Sequence, residues 1–324
     1  MTPAELSRTV LHAVRRAVGE GVLDAPVPER VVVERSRPGG LGDYASGVAL
    51  KLAGPAGRPP REVAELLRTK IAGAPGVDRV EITGPGFLNF VLARESDGRL
   101  VRAVLAQGMR YGHGDALAGT YVRFAPGAEL RARIVTEAVV ALLRTQGADA
   151  EIAENGDTGE EVRVVPAPRD GVALDADALR WALLRAAAHD RPQADGRLLV
   201  QSESNPLFKV RYAYARTRAL ARNAHDLGFA AAYEQEIDAP DLLAALRDHP
   251  AVLEAAARHR APDRPARHLE VVADAFLAFQ HTVLPIGDEK PSAAHRSRLA
   301  LAEAAGTVLA GGLSLLGVSA PEHL

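Results

Sequence analysis

The chain has 324 residues, which is enough for two or three domains with their own hydrophobic cores. Its content of 47% hydrophobic and 25% charged residues is ordinary for a folded protein, and the lack of cysteine excludes disulfides and thiolate metal sites. The formal net charge of −2 argues against a non-specific nucleic-acid binder, although it allows RNA binding through a local basic surface. No apolar run approaches the roughly 20 residues of a membrane helix, and no signal peptide is evident. We therefore expect a cytoplasmic protein with no membrane partner.

Residues 1–110 are predicted to form a compact α+β domain. Thr2-Pro3 can start a helix, because proline is tolerated in a first turn and apolar residues then recur at helical spacing. A Gly84-Pro85-Gly86 turn signal separates two strand-like segments. The further predicted elements are a strand at 31–33, helices at about 44–52 and 63–71, strands at 77–82 and 87–92, and a helix that ends near Met109.

Residues 111–174 are predicted to form a short α/β segment. The predicted elements are a Gly-rich linker at 111–120, a strand at 121–124, a helix at 130–143, and two short strands at 151–153 and 162–165. This segment is too small for a complete nucleotide-binding sheet.

Residues 175–324 are predicted to form an all-α helical bundle. Apolar residues recur there at helical spacing, as in Leu179, Leu183 and Leu184, and proline residues separate the helical runs. The whole chain is thus expected to combine an α+β N-terminal domain, a short α/β segment and a C-terminal bundle.

Phe87 and Asn89 form the first candidate binding site. Both follow the glycine-rich turn, and side chains two residues apart lie on one face of a strand. An aromatic ring and an amide on an exposed face can stack on a splayed base and hydrogen-bond to its edge. The alternative is that Phe87 lies in the core and Asn89 is a polar residue at the end of a turn.

The predicted helix at residues 205–226 forms the second candidate site. It carries five lysine and arginine residues against the single acid Asp226, and Tyr212 and Tyr214 are interleaved with them. A basic helix with aromatic side chains suits phosphate contacts and base stacking. The alternative is an ordinary solvated face above an apolar stripe.

A second local basic patch is predicted around His259 and His268. The surrounding basic residues are Arg258, Arg260, Arg264 and Arg267. They could contact phosphate or could simply be a solvated helix end. The histidines show no spacing typical of metal ligands, and no metal site is expected.

These motifs resemble the two tRNA-binding ends of the arginyl-tRNA synthetases. Gly42-Asp43-Tyr44-Ala45 and the segment 84–90 are similar to the additional N-terminal domain of that family. Asn205-Pro206 and Tyr212-Ala213-Tyr214-Ala215-Arg216 resemble the start of its anticodon-binding bundle, and the segment 312–322 resembles the end. Asp177-Ala178-Leu179-Arg180 spells the name given to this type of bundle. The resemblance covers residues 1–110 and about 175–324.

The resemblance implies two sets of tRNA contacts. Phe87 and Asn89 would contact the D-loop side of the tRNA. Residues on the anticodon side would be Lys209, Tyr212, Arg216, Arg218 and Leu324. The family commonly has histidine at the position of Tyr214 and ends on methionine, whereas Leu324 retains only an apolar contact.

The resemblance also implies that the catalytic signatures are missing. Leu130-Arg131-Ala132-Arg133 stands where the family has a His-x-Gly-His sequence, whose imidazoles stabilise ATP phosphates at a helix N-terminus. The Lys-Met-Ser-Lys-Ser signature is absent, and the four lysines of the chain are isolated. Asn155-Gly156-Asp157-Thr158-Gly159 is similar to a family loop. No catalytic residue and no cofactor are therefore expected.

The leading hypothesis is a non-catalytic tRNA-binding protein, specific for arginine tRNA, that presents the tRNA to another enzyme. A second hypothesis is a regulatory or interaction partner of a full-length synthetase. A third is a residual arginine-tRNA ligase or another enzyme that acts on aminoacyl-tRNA.

Overall fold

The computed structural model describes residues 3–36, 41–93, 95–154, 159–167 and 173–324. The chain divides into two compact units, Met1–Leu100 and Val101–Leu324. The architecture is an N-terminal unit of mixed α and β structure and a second unit dominated by a helical bundle, as the sequence predicts. No described helix is both long and apolar enough to cross a membrane.

The first unit contains a four-stranded antiparallel sheet covered by helices. In chain order its elements are α1 (Pro3–Gly19), β1 (Glu34–Arg35), β2 (Tyr44–Ser46), α2 (Val48–Ala56), α3 (Pro60–Ile71), β3 (Val77–Thr83) and β4 (Phe87–Leu92), and α4 (Glu95–Gln107) crosses into the second unit. The strand order is β1-β2-β4-β3, so β4 is an inner strand. Leu6, Val63, Leu67 and Phe90 are fully buried in the core between the helices and the sheet.

The segment around Tyr44 is a strand, so the predicted helix at 44–52 begins too early. The Asp43 backbone N–H donates to the Phe90 carbonyl at 2.8 Å, and the Asp43 carboxylate accepts from the Leu92 N–H at 2.8 Å. These bonds fix β2 against β4, and α2 begins only at Val48. The predicted strand at 31–33 is also displaced, because β1 comprises Glu34–Arg35.

The second unit begins with a small parallel α/β segment. Strands β5 (Tyr121–Phe124) and β6 (Asp149–Ile152) are parallel and are joined through α5 (Leu130–Thr145). Glu160 forms a single parallel bridge with Phe124. The predicted strand at 162–165 is not formed, since Val165 instead donates its N–H to the Ala188 carbonyl. The segment belongs to the same compact unit as the bundle, and its assignment to a separate domain stays a prediction.

The bundle consists of five helices. They are α6 (Ala176–Arg185), α7 (Pro206–Asp226), α8 (Pro240–His259), α9 (Asp263–Phe279) and α10 (Ala293–Leu315), and short 3-10 turns lie at Gly108–Arg110, Gly196–Leu199 and Gln280–Thr282. Helix α7 packs against α9 and α10. Trp181 and Phe276 are fully buried in this core.

The start of α7 is fixed by the Asn-Pro pair. The Asn205 side-chain oxygen accepts from the Phe208 N–H at 3.1 Å, which caps the helix, and Pro206 occupies the first turn. The Asn205 amide nitrogen donates to the carbonyls of Leu198 and Val200, both at 2.9 Å. One asparagine therefore joins the preceding loop to the helix that carries most of the predicted anticodon-side residues.

Candidate nucleic-acid interface

Phe87 is presented at the start of β4, next to a pocket of about 260 Å³ in the first unit. Its side chain is 42% exposed, although it follows a turn and leads into an inner strand. Arg30 and Lys51, both exposed, line the same pocket together with Glu34. An aromatic face with two cations nearby can hold a base by stacking and its phosphate by charge. The contribution of Arg30 and Lys51 was not predicted, because neither belongs to a recognisable motif.

Asn89 does not share the exposure of Phe87. Only 7% of the residue is exposed, and its amide nitrogen donates to Thr83 Oγ1 at 2.7 Å and to the Phe87 carbonyl at 3.4 Å. The expectation of an exposed aromatic and amide pair is therefore wrong for the amide. The reason is that β4 lies between two strands, which place Ala45 and Glu81 on either side of Asn89. Its role is to orient the turn that presents Phe87.

The basic residues of α7 are largely paired within the second unit. Lys209 Nζ lies 2.7 Å from Asp274, and Arg216 Nε donates to Gln280 Oε1 at 2.8 Å. Asp274 therefore neutralises Lys209, whereas Gln280 satisfies a donor of Arg216 without removing its charge. Lys209 and Arg216 are half-buried and act first as bundle contacts.

Tyr212 and the end of the chain form the exposed part of this surface. The rings of Phe208 and Tyr212 are stacked with centroids 5.9 Å apart, and Tyr212 is 41% exposed. Arg218, which is also exposed, contacts Glu322 through Nε at 3.2 Å. This contact holds the C-terminal segment against α7, only two residues from the exposed Leu324. We call the exposed residues Tyr212, Arg218 and Leu324 the α7 surface.

The tetrapeptide Asp177–Arg180 at the start of α6 holds the C-terminal segment in place. The Asp177 carboxylate contacts Arg211 of α7 and accepts from the Ser319 hydroxyl and backbone N–H. Arg180 Nε donates to the Leu316 carbonyl at 2.6 Å. Gly317 adopts a φ of +69°, and a Cβ there would lie 2.6 Å from Arg180 Nε. The motif therefore joins α6 to α7 and to the C-terminal segment.

Arg131 belongs to the segment that is expected, from the resemblance, to stand in place of the first catalytic signature. It is fully buried in the first turn of α5. Its guanidinium donates to five backbone carbonyls, which belong to Val165, Leu183, Ala186, Ala187 and Asp190. Burial lowers the pKa of Arg131. The side chain joins α5 to the end of α6 and to two loops, and its donors are directed at protein atoms.

The second basic patch predicted from the sequence is divided by the fold. His268 is buried and its ring is stacked on His249, with centroids 5.4 Å apart. Burial lowers the pKa of His268 to about 4, so the ring is neutral near pH 7. Arg260 and Arg264 line one pocket of the second unit, whereas Arg267 lines another. No group of three potential metal ligands occurs among the described residues, and the loop at 155–158 lies outside them.

Two family models match the chain. The arginyl-tRNA synthetase N-terminal domain matches residues 4–92, and the DALR anticodon-binding domain matches residues 210–324. Arginine–tRNA ligases of Frankia alni and Paenarthrobacter aurescens are 27% and 25% identical, in alignments that cover 100% of this chain and 100% of each relative. The first alignment spans 552 positions, so at least 228 of them contain no residue of this 324-residue chain.

Solved structures of arginyl-tRNA synthetases have a fold similar to that of this chain. The arginyl-tRNA synthetase of Thermus thermophilus superposes with a TM-score of 0.71 at 13% identity, with 100% of both chains covered. The Plasmodium falciparum enzyme gives 0.65 at 8% identity, with 99% of both chains covered. The fold and the matched models define a protein with synthetase-type tRNA-binding domains. The chain belongs to the arginyl-tRNA synthetase family.

Proposed function

We propose that this protein binds arginine tRNA without activating arginine, and that it presents the bound tRNA to another enzyme in the cytoplasm. The first unit would contact the D-loop side through Phe87, with Asn89 orienting the turn. The α7 surface would contact the anticodon side, with Lys209 and Arg216 supporting it. This function is favoured because the chain has both candidate RNA-contacting regions and lacks the two catalytic sequence signatures of the synthetases.

The observation that carries the proposal is the environment of Arg131. In the synthetases, imidazoles at this helix N-terminus stabilise the phosphates of ATP. Here the corresponding position holds a fully buried arginine whose donors are occupied by five backbone carbonyls. A side chain used in this way is not available to a substrate phosphate, and the position contributes to folding instead.

The length of the chain supports the same proposal. At least 228 positions of the Frankia alni alignment contain no residue of this chain, although the alignment covers all of both proteins. Loss of most of the catalytic domain would account for this difference. The four lysines, at positions 51, 70, 209 and 290, also provide no pair that could bind pyrophosphate.

A filter-binding assay with total tRNA and with purified arginine tRNA tests the RNA-binding part. We expect arginine tRNA to be retained in preference to other tRNAs, with an affinity that falls as salt is raised. An unrelated structured RNA of the same length is the control. Equal retention of all the RNAs, or none at low salt, contradicts the proposal.

ATP–pyrophosphate exchange with arginine tests the non-catalytic part and also addresses the hypothesis of a residual ligase. We expect no exchange above background, with or without tRNA. A full-length relative assayed in parallel shows that the conditions support the reaction. Arginine-dependent exchange that scales with protein concentration would refute the proposal.

A specific observation favours an interaction partner of a synthetase as the second candidate function. Lys209 and Arg218 of α7 are paired with Asp274 and Glu322, and the Arg216 guanidinium is hydrogen-bonded to Gln280, so fewer cations of α7 are free than the sequence indicates. Under this alternative, affinity purification retrieves a synthetase after nuclease treatment and retrieves no tRNA. Under the leading proposal, tRNA co-purifies and nuclease removes any associated enzyme.

A further inference from the structure

A pocket of about 420 Å³ in the second unit shares no lining residue with the α7 surface. Its walls come from the second half of α6, the segment 190–198, the start of α7 and one residue of α9. Four arginines line it: Arg185, Arg191, Arg197 and Arg267. Asp190 and Asp195 are the only acids in its lining, so the lining has a formal charge of +2.

Two of the arginines are held in fixed orientations. Arg185 makes a two-pronged contact with Glu270, at 2.5 and 3.1 Å, and Arg197 lies 2.6 Å from Asp195. Such pairs restrict the rotamers of a long side chain, which lowers the entropy cost of binding a further anion.

The other two arginines are only weakly engaged. Arg267 lies 3.7 Å from Asp190 and 3.8 Å from Asp263, which is beyond hydrogen-bonding distance, and only its Nε makes a long hydrogen bond, to the Arg185 carbonyl at 3.4 Å. Arg191 is exposed, and within the part of the chain that the structure describes no contact is recorded for it. Both guanidinium groups are therefore available to a ligand that enters the pocket.

The rest of the lining also favours an anion. Ser204 and Pro206 place the N-terminal end of α7, a helix of 21 residues, at the pocket, where its dipole favours negative charge. Trp181 contributes to the wall, and its buried indole N–H has no acceptor among the described residues. The lining thus combines cations with a helix N-terminus, whereas the Trp181 N–H is buried beneath the wall.

We infer that this pocket binds a phosphate group. Planar guanidinium groups match the oxygens of phosphate in two-pronged geometry, and Arg191 and Arg267 can offer theirs while Arg185 and Arg197 stay paired with Glu270 and Asp195. The phosphate could be a phosphodiester of bound RNA, which rests on the proposed function, or the phosphate of a free nucleotide, which does not. The pocket volume is in the range of small-molecule sites.

Calorimetric titrations of the full-length protein at constant ionic strength test the inference. The probes are inorganic phosphate, adenosine 5′-monophosphate and arginine tRNA. The test variant carries Arg191→Gln and Arg267→Gln, which remove the two available cations and leave the paired ones. Arg110→Gln, an exposed arginine of the same unit outside the pocket, is the matched control. Thermal unfolding of each variant confirms that the fold is retained.

We expect wild-type protein and the control to bind phosphate or the nucleotide, and the double variant to bind it at least about tenfold more weakly, which corresponds to about 1.4 kcal/mol. If tRNA binding weakens in parallel and its salt dependence becomes shallower, the pocket holds an RNA phosphate. If tRNA binding is unchanged, the ligand is a free phosphate compound. Phosphate binding by a protein that binds no tRNA would contradict the proposed function and leave this inference intact. Equal titrations for the wild type and the double variant with all three probes would overturn it.

Discussion

At the scale of single residues, Arg131 shows how a charged side chain can be buried without an ionic partner. A buried charge is costly unless its donors are satisfied, and here five carbonyl oxygens accept from one guanidinium. Three of these carbonyls, of Leu183, Ala186 and Ala187, lie at the end of α6, where helix carbonyls lack intrahelical partners. Arg131 therefore acts as a cap for a helix distant in sequence.

Replacing this side chain should destabilise the second unit strongly. Arg131→Leu leaves five carbonyls without their donor, and each of them that stays shielded from water costs on the order of 1 to 3 kcal/mol. We expect a loss of at least about 3 kcal/mol in the free energy of unfolding, measured by urea denaturation. Arg133→Leu, two residues away on an exposed part of α5, is the control and should change stability little. Equal urea midpoints for the two variants would show that Arg131 is not a structural contact.

The buried histidine pair should make stability depend on pH. The folded pKa of His268, about 4, lies below the ordinary value of about 6.5, so the unfolded state binds protons first as pH falls. Stability should therefore decrease from about pH 6.5 to pH 4, by at most about 3.4 kcal/mol from this group. His268→Phe removes the contribution of this group and should make the curve of unfolding free energy against pH shallower over that window, while the buried His249, whose pKa is also lowered by burial, keeps its own share of the slope. His189→Phe, which replaces an exposed histidine, should leave the slope unchanged.

At the scale of elements, the contact between α7 and α10 depends on small residues. A Cβ at Gly306 of α10 would lie 2.4 Å from Thr217 Oγ1 of α7, and Thr217 itself is buried. The helices therefore approach more closely at this point than any larger side chain would allow. This approach sets the position of α7 and hence of the exposed Tyr212.

Gly306→Ala should separate the two helices and destabilise the bundle. Overpacking of this kind costs about 1 to 3 kcal/mol, although alanine is the better helix former. Adding Thr217→Ala should restore part of the loss, because it removes the atom nearest to the new methyl group. Gly54→Ala in α2, where no atom lies within 4 Å of the added Cβ, is the control and should be neutral or stabilising. Additive effects of the two bundle substitutions would argue against direct contact.

Elements with a clear period could be predicted from the sequence, and those fixed by distant contacts could not. The helices of the bundle follow apolar residues that recur at helical spacing, and the Gly84-Pro85-Gly86 turn joins β3 to β4 as expected. The segment at Tyr44 is a strand because Asp43 bonds to residues nearly 50 positions away. The local sequence contains no sign of these contacts, so it predicted a helix.

In the candidate sites, too, locally determined features could be predicted and those fixed by distant contacts could not. Phe87 and Tyr212 are exposed as expected, because the turn and the helix that present them are local. Asn89 was expected to be exposed, but alternation along a strand does not reveal which strand lies inside a sheet. The number of lysines and arginines on α7 was counted correctly. The side chains that bind them, two acids and one amide, come from α9, a 3-10 turn and the C-terminal segment.

At the scale of the whole molecule, each unit carries one proposed RNA contact. Phe87 belongs to the first unit and Tyr212 to the second. A tRNA bound by both units gains from linked sites, because the second contact forms within the complex already held by the first. Loss of either contact should therefore weaken binding without abolishing it.

Alanine substitutions of the two exposed aromatic residues test this arrangement. Loss of a stacked base costs about 1 to 3 kcal/mol, so Phe87→Ala and Tyr212→Ala should each weaken arginine-tRNA binding by about tenfold or more. The double variant should be weaker than either single variant. Tyr121→Ala removes another exposed aromatic residue, on β5, and should leave the affinity unchanged. An effect of only one of the two substitutions would restrict RNA binding to one unit.

Arg218→Gln tests the contribution of charge. Removal of one phosphate contact should make the plot of log affinity against log salt shallower by about 0.7 to 0.9. The same substitution frees Glu322 from its contact with α7, so limited proteolysis should report whether the C-terminal segment has also detached. Arg222→Gln, an exposed arginine on the same helix, shows whether any cation of α7 gives the same slope.

The burial of Arg131 has a consequence for the history of the chain. If the position once held a catalytic imidazole, restoring histidine now would remove donors from five carbonyls and weaken the fold before any chemistry could return. Each contact that formed around the arginine made reversal more costly. Under the proposed function, a return to histidine at this position would therefore lower folding stability before it could contribute to any reaction.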